Sequence, residues 1–202
     1  MNWVDFYPFV LPDVIGCPEP TLDHHIRRAA IDLCRKTLCY TQTLDPLLAD
    51  GVSNTVSIDT PSATEIVRVM AVTVDGKTFS LAGVQQAHAY VASQFPGEYA
   101  FQEDNQNLSI YPLQLAGIVV SVDAALMPTM KATRLDDMFT TYVQDIAYGA
   151  VASLAMIPSQ AWSNPQLAGH SAGMFRSRCD TLALKISRGR AASKMRNFKQ
   201  YL

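Results

Sequence analysis

Apolar residues recur at helical spacing in three segments of this chain, and each segment begins with an N-cap residue and ends near proline or glycine. Thr21 and Thr133 are suited to capping a helix, and Asn164-Pro165 combines a cap with proline at the first helical position. The pattern predicts three long helices, which run from Thr21 to about Thr43, from Thr133 to Met156, and from Asn164-Pro165 to Gly189.

Residues 52–127 show the alternation of apolar and polar side chains that is typical of strands. Asp75-Gly76 lies between two such runs and predicts a hairpin with a tight turn. The polar run 103–107 predicts a second hairpin between strands at 98–101 and 108–111, and residues 84–94 predict a short helix. We therefore expect an antiparallel sheet of about five strands in this region.

The first twenty residues contain four prolines and many apolar side chains. Proline in a helix interior removes a hydrogen bond and clashes with the preceding turn, so we expect this segment to be extended. An apolar segment without regular structure lies either against the core of its own chain or against a neighbouring subunit.

The order of these elements is one helix, a run of strands and then two helices, which favours an α+β fold over alternating strands and helices. We expect a three-helix bundle with an antiparallel β-domain inserted between the first and second helices. Residues 1–50 and 128–202 would form the helical bundle domain, with an extended N-terminal segment and a basic C-terminal tail. Residues 51–127 would form the inserted β-domain.

The chain has 202 residues, of which 17% are charged, against an average of about 25%. A low charge content leaves neutral surface, which occurs at subunit interfaces, although a large core within one chain has the same composition. The charge is unevenly distributed, because residues 176–202 contain eight Lys and Arg and one acid, Asp180. That region has a net charge of +7, and since the whole chain is −2, residues 1–175 sum to −9.

A basic tail on an acidic body indicates a contact with nucleic acid or with an acidic protein surface. The alternative is a solvated helix end, whose cations interact favourably with the helix dipole. The positive charges continue past the predicted helix end and exceed what the dipole requires, which favours the contact.

Residues 169–173 read Gly-His-Ser-Ala-Gly and match the Gly-x-Ser-x-Gly sequence of hydrolase nucleophile elbows. The elbow requires a buried strand directly before the serine and a histidine later in the chain. Here Asn164-Pro165 predicts a helix start, and no histidine follows His170. Two glycines one turn apart predict instead a helix face that packs closely against a neighbour. We therefore expect no catalytic residue and no enzymatic activity.

We also expect no cofactor, metal or nucleotide site. The four cysteines include no Cys-x-x-Cys pair, the adjacent His24 and His25 lack the spacing of a zinc helix, and no glycine-rich phosphate loop occurs. The first residues lack a basic region followed by an apolar run, which predicts no signal peptide. No apolar stretch reaches the length of about 18 residues that a membrane helix requires.

Three stretches of sequence carry a resemblance to a known family. Residues 11–18 read Leu-Pro-Asp-Val-Ile-Gly-Cys-Pro, and residues 26–35 read Ile-Arg-Arg-Ala-Ala-Ile-Asp-Leu-Cys-Arg. Residues 147–158 read Ala-Tyr-Gly-Ala-Val-Ala-Ser-Leu-Ala-Met-Ile-Pro and lead into Trp-Ser-Asn-Pro at 162–165. In this order they resemble the head-to-tail adaptor, or neck, proteins of tailed bacteriophages, especially the short-tailed ones.

The resemblance implies a virion structural protein that is made in the host cytoplasm and located in the neck of the particle. About twelve copies would form a ring under the portal, with their helices around a channel that DNA crosses. The C-terminal segment would reach the portal protein, and the β-domain would face outward or toward a tail or nozzle protein. The resemblance implies no catalytic residue, no cofactor and no membrane contact.

Two groups of residues are the candidate binding residues of such an adaptor. The subunit-packing group lies in the N-terminal segment and on the small-residue face of the third helix, and comprises Trp3, Phe6, Phe9, Ala168, Gly169, Ala172 and Gly173. The portal-binding group comprises Arg188, Arg190, Lys194, Arg196, Phe198, Lys199 and Tyr201. The alternative function is a nucleic-acid-binding module that uses the same basic tail, in which the two aromatic rings stack on bases.

Overall fold

The computed structural model describes residues 1–93 and 97–188 of the chain. Its helices are α1 (Tyr7–Val10), α2 (Glu19–Thr37), α3 (Val84–Ala92), α4 (Val143–Leu154) and α5 (Pro165–Arg188). Its strands are β1 (Thr41–Thr43), β2 (Leu47–Leu48), β3 (Thr55–Ser57), β4 (Thr64–Val74), β5 (Lys77–Leu81), β6 (Tyr99–Gln102), β7 (Asn107–Tyr111) and β8 (Val119–Pro128). Short 3-10 helices occur at Trp3–Phe6, Leu11–Asp13 and Asp137–Tyr142.

The strands form one curled, mixed sheet that resembles half of a barrel, in the order β1-β8-β4-β5-β6-β7-β3, with β2 also paired to β8. The prediction of a three-helix bundle with an inserted antiparallel β-domain is therefore wrong. The described residues contain five helices, and β1 and β2 join the sheet directly after α2, so the sheet is not confined to an insert. β5 and β6 run parallel, which makes the sheet mixed. The domain limits at 51 and 127 stay a prediction.

α2 ends at Thr37, earlier than the predicted end near Thr43. Leu38 adopts the left-handed conformation (φ 56°) and donates its N–H to the Cys34 carbonyl at 2.8 Å, which is a helix-terminating geometry. Glycine is the usual residue at such a position, so leucine gave no signal for the stop. The early stop frees the following residues to form β1 at the edge of the sheet.

The N-terminal segment is helical, which corrects the expectation of an extended chain. Pro8 lies in the first turn of α1, Pro12 in the first turn of the next 3-10 helix, and Pro20 in the first turn of α2. Proline is tolerated there because first-turn N–H groups have no partner within the helix. Helical geometry then separates the side chains of residues 3–13 onto two faces.

Several local predictions are confirmed. α5 begins at Pro165, and Asn164 Oδ1 accepts the Leu167 N–H at 3.1 Å. Asp75 and Gly76 form the turn between β4 and β5, with φ values of 48° and 77°. α3 occupies the predicted short helix, and β6 and β7 form the second predicted hairpin.

The predicted second helix is divided into two pieces. Asp136, rather than Thr133, caps it by accepting the Met138 N–H at 2.9 Å. A 3-10 helix follows this cap, and α4 begins only at Val143. The helix that packs in the core is therefore shorter than the periodicity indicated.

Buried apolar side chains form two main cores. The helical core joins α2, α4, α5 and the N-terminal segment, and the sheet core covers one face of the curled sheet. A smaller cluster with Tyr99 and Phe101 lies against α3. A Cβ added at Gly149 of α4 would lie 3.0 Å from both the Ala29 Cβ and the Phe175 ring. The three long helices therefore approach closely at this glycine.

Candidate functional site

The inward face of the N-terminal segment belongs to the protomer's own core. Trp3 is 3% exposed and Phe6 is fully buried. The Trp3 Nε1–H donates to the Ala132 carbonyl at 2.8 Å, and the Arg27 guanidinium lies 4.6 Å from the centre of the Trp3 ring. In this structure Trp3 and Phe6 stabilise the protomer, and they leave no surface for the subunit contact to which we assigned them.

The outward face of the same segment, which we call the N-terminal apolar face, is exposed. It consists of Val4 (62% exposed), Phe9 (45%), Leu11 (37%) and Ile15 (77%). Single exposed apolar residues are ordinary, but several within one short segment are the kind of apolar surface that binds another protein. Of the three aromatic residues assigned to subunit packing, Phe9 therefore keeps surface for a neighbour.

The small-residue face of α5 lies partly in the core and partly in solvent. Ala168 is buried, whereas Gly169, Ala172 and Gly173 are exposed. A Cβ added at Gly169 or Gly173 would meet no atom within 4 Å. The close packing that we predicted for these glycines is therefore not present among the residues that the structure describes. The three exposed residues form what we call the α5 strip, a part of the helix surface without long side chains.

The Gly-x-Ser-x-Gly sequence lies inside α5 and does not form a nucleophile elbow. Ser171 is 2% exposed, and the residues on both sides of it are helical. The elbow presents its serine on a strained turn after a strand, and a helix interior has no such turn. Within the described part of the chain, no group of three or more His, Cys, Asp or Glu side chains could hold a metal ion.

Titratable side chains in the helical core connect neighbouring helices. His25 Nδ1 lies 2.7 Å from Ser153 Oγ, which joins α2 to α4, and burial lowers the pKa of His25. Burial raises the pKa of Cys179 on α5 to about 11, so this thiol is protonated at neutral pH. A hydrogen bond with Cys34 lowers the pKa of the Cys39 thiol. The contact between His25 and Ser153 therefore links α2 to α4.

The basic end of α5 begins the predicted portal-binding group. Arg188 is exposed, and it is the last described residue of α5. Arg176 and Lys185 are also exposed on this helix, and Arg178 Nε lies 3.8 Å from Asp145 Oδ1. The other members of the group lie outside the described residues: Arg190, Lys194, Arg196, Phe198, Lys199 and Tyr201. Exposed positive charge therefore extends along α5 up to the start of the tail.

A further exposed region, which we call the sheet-end surface, was missed in the sequence analysis. β2 pairs with the start of β8 through Leu48 and Val119, which are 66% and 48% exposed. Val52 and Leu115 in the adjoining loops are 85% and 78% exposed. Backbone hydrogen bonds join the segment after β2 to the segment before β8. Apolar residues in alternating runs are expected to be buried, so the sequence pattern gave no signal for this surface.

The candidate site is thus a set of surfaces: the N-terminal apolar face, the α5 strip, the sheet-end surface and the basic end of α5. Over residues 1–93 and 97–188, every helix is too short or too polar to cross a membrane. No protein-family model matches the chain, and no curated protein matches it.

Proposed function

We propose that this chain is a virion structural protein, a head-to-tail adaptor whose copies form a ring that joins the portal to the tail around the DNA channel. The observation that carries the proposal is the N-terminal apolar face, which is exposed although the opposite face of the same segment is buried. Covering such a face with another protein removes apolar surface from water and is favourable. The resemblance of residues 11–18, 26–35 and 147–158 to adaptor sequences supports the same assignment.

A ring requires head-to-tail contacts, in which one surface of each copy meets a different surface of the next copy. The N-terminal apolar face supplies projecting side chains such as Phe9, and the α5 strip supplies a surface on which such side chains fit. We assign part of the contact between copies to this pair of surfaces. The family resemblance gives about twelve copies as the expected size of the ring.

The two ends of the adaptor are assigned to two different partners. The basic group from Arg188 into the tail is assigned to the portal protein, because cations suit an acidic protein surface. The sheet-end surface is assigned to the tail or nozzle protein, because it is apolar and belongs to the sheet rather than to the basic helix. A connector needs separate surfaces of this kind for the two components that it joins.

Particle mass and symmetry test the ring. The full-length protein is measured by mass photometry and electron microscopy, alone and with portal rings from the same virion. We expect rings, and we expect Phe9→Asp to weaken assembly by about tenfold or more because it buries a charge in an apolar contact. Phe9→Leu is the matched control and should retain assembly. A protein that stays monomeric with portal rings and is absent from purified virions would contradict the proposal.

Removal of residues 190–202 tests the portal contact separately. We expect the truncated protein to keep the thermal unfolding temperature of the full chain and to lose binding to portal rings. The expectation is based on the net charge of +7 in residues 176–202, much of which the truncation removes. Full affinity of the truncated protein for portal rings would show that another surface makes this contact.

The same charge favours a second candidate, a nucleic-acid-binding module. Titration with duplex DNA at increasing salt separates the two functions, because binding through phosphate contacts weakens steeply as salt rises. For an adaptor we expect rings, and tighter binding to the portal than to DNA at each salt concentration. Tight, salt-sensitive DNA binding by a protein that forms no ring would favour the second candidate.

A further inference from the structure

The outer edge of β1 is open to solvent. Leu44 donates its N–H to the Val122 carbonyl at 2.9 Å, and Leu126 donates its N–H to the Tyr40 carbonyl at 2.7 Å. Backbone groups alternate in direction along a strand, so those of Thr41 and Thr43 point away from β8. Residues 41–43 are all exposed, and they include neither the lysine nor the proline that commonly protects a sheet edge.

A second open edge lies along β4. β8 pairs with almost the whole of β4, whereas β5 pairs only with residues 72–74. The remaining part of β4 faces a groove of about 500 Å³ that Phe101 and Gln102 of β6 line on the other side. Within this groove the Val69 N–H donates to the side-chain Oε1 of Gln102 at 3.3 Å. A side-chain amide thus occupies a position where a neighbouring strand would supply a backbone carbonyl.

The two edges lie on opposite sides of β8 and have the same strand direction, because β1 and β4 are both antiparallel to β8. We infer that the open edge of β1 in one copy pairs with the open edge of β4 in the next copy, so that the sheets of neighbouring copies form a continuous layer. Such a contact is head-to-tail, and it generates a closed ring when the rotation between successive copies divides a full turn. The inference rests on the proposed function, since it names the strands through which the copies of the ring associate.

The lengths of the two edges are compatible. A strand of three residues spans about 10 Å, and the stretch of β4 from Ile66 to Ala71 spans about 20 Å. Pairing requires Gln102 to swing out of the groove, and a backbone carbonyl of the incoming β1 then accepts the Val69 N–H. Strand addition of this kind uses backbone hydrogen bonds for affinity and the flanking side chains for specificity.

The charged side chains beside the two edges are complementary. Arg68 is exposed next to the groove and has no ion pair among the described residues. Asp45 follows β1, is exposed, and likewise lacks an ion pair in the part of the chain that the structure describes. Apolar side chains border the groove and are partly exposed, namely Met70 (41%), Leu81 (42%) and Val84 (46%). A neighbouring copy would therefore place Asp45 near Arg68 and the apolar border of this groove.

Proline substitution tests the backbone contact directly. Thr43→Pro and Thr41→Pro each remove an N–H that points away from β8, and so leave the pairing of β1 with β8 in place. We expect either change to weaken ring assembly by about tenfold or more. Thr43→Val and Thr41→Val are the matched controls, since they remove the same hydroxyl and keep the N–H, and they should assemble within about twofold of wild type. Circular dichroism of each variant checks that the protomer is folded.

A charge exchange tests the same contact without a change to the backbone. Arg68→Glu and Asp45→Arg should each weaken assembly, because each places two like charges at the contact. The double variant should restore assembly, because an acid at position 68 then faces a cation at position 45. Proline variants that assemble like wild type would overturn the inference. A double variant no better than either single variant would overturn the pairing of Arg68 with Asp45 across this contact.

A photo-reactive benzophenone amino acid at position 70 locates the neighbour. The rings are made from equal amounts of 14N- and 15N-labelled protein. We expect a crosslink between the tryptic peptide 69–77 of one copy and the tryptic peptide 37–68 of another copy. Within peptide 37–68, the crosslinked position should lie among residues 40–45. Rings whose crosslinks map elsewhere would overturn the strand pairing and leave the proposed function standing. Wild-type protein that forms no ring with or without portal would overturn both.

Discussion

In the helical core the long helices fit closely around one another, whereas the sheet leaves parts of two strands without a neighbour. Phe6 and Phe139 are fully buried in the helical core, and Gly149 is so closely surrounded that an added Cβ would lie 3.0 Å from two other residues. In the sheet, β1 has one open edge and β4 has another. Both regions bury an apolar core, but only the sheet leaves open strand edges that a neighbouring strand could pair with.

The N-terminal segment shows the same contrast within a few residues. Its inward side chains Trp3 and Phe6 are buried, and its outward side chains Val4 and Phe9 are exposed. Residues of one type thus have different roles according to the face on which they lie. Substitutions at the buried positions should therefore destabilise the protomer, whereas substitutions at the exposed positions should have little effect on its stability.

Phe6→Ala is expected to lower the free energy of unfolding of the protomer by about 3–5 kcal/mol, because it removes a fully buried aromatic ring and leaves a cavity. Urea denaturation at a concentration where the protein is monomeric measures the change. Phe9→Ala is the matched control, with an expected effect within about 0.5 kcal/mol because the side chain is 45% exposed. Equal losses for the two variants would show that the segment does not have two distinct faces.

Gly149→Ala is expected to destabilise the protomer by about 1–3 kcal/mol, although alanine is the better helix former. The added Cβ would approach both the Ala29 Cβ and the Phe175 ring to 3.0 Å, and neither neighbour lies on a flexible side chain. Gly173→Ala is the matched control. It should stabilise the protomer by about 0.5–1 kcal/mol, because nothing lies within 4 Å of the added atom. Stabilisation by both changes would show that α4 has room at Gly149.

These glycines also show where sequence reasoning stops. Gly149, Gly169 and Gly173 all lie inside helices, and each is a signal for close packing when only the sequence is considered. The direction in which each glycine faces depends on how the helices are rotated, which non-local packing decides. The sequence led us to predict close packing at Gly169 and Gly173, whereas the close approach between helices occurs at Gly149.

Local signals predicted particular turns and helix starts, but they could not predict how the strands pair. Asp75-Gly76 and Asn164-Pro165 fix a turn and a helix start through their own backbone and side chains, and both predictions are confirmed. The stop at Leu38 requires a left-handed leucine, which no propensity suggests. The pairing of β1 with β8 joins residues far apart in the chain, so a local pattern could not show that the sheet includes residues before position 51.

The stability of the helical core is expected to depend on pH through His25. Burial is the main cause that lowers the pKa of His25, and the charges of His24 and Arg28 lower it further. Between the ordinary pKa of 6.5 and the lower folded value, the unfolded chain binds a proton that the folded protein does not. The free energy of unfolding should therefore fall as the pH falls through this window.

Thermal unfolding at about pH 7.5 and about pH 5.5 measures this dependence. His25→Gln should lose less stability on acidification than wild type, because glutamine has no proton to take up. His170→Gln, at an exposed position on α5, is the matched control and should behave like wild type. Identical acid sensitivity of wild type and His25→Gln would show that other groups cause it.

The smallest expected effect concerns the ion pair between α4 and α5. Arg178 Nε lies 3.8 Å from Asp145 Oδ1, and the Arg178 side chain is 55% exposed, so solvent screens the attraction. Arg178→Met should change the free energy of unfolding by less than about 0.5 kcal/mol in urea denaturation, with Arg176→Met as the control at an exposed position on the same helix. A loss above about 1 kcal/mol for Arg178→Met alone would mean that charge, in addition to packing, holds α5 against α4. A loss below that limit would mean that Arg178, like its exposed neighbours on α5, contributes little to the protomer and has its charge available for a partner.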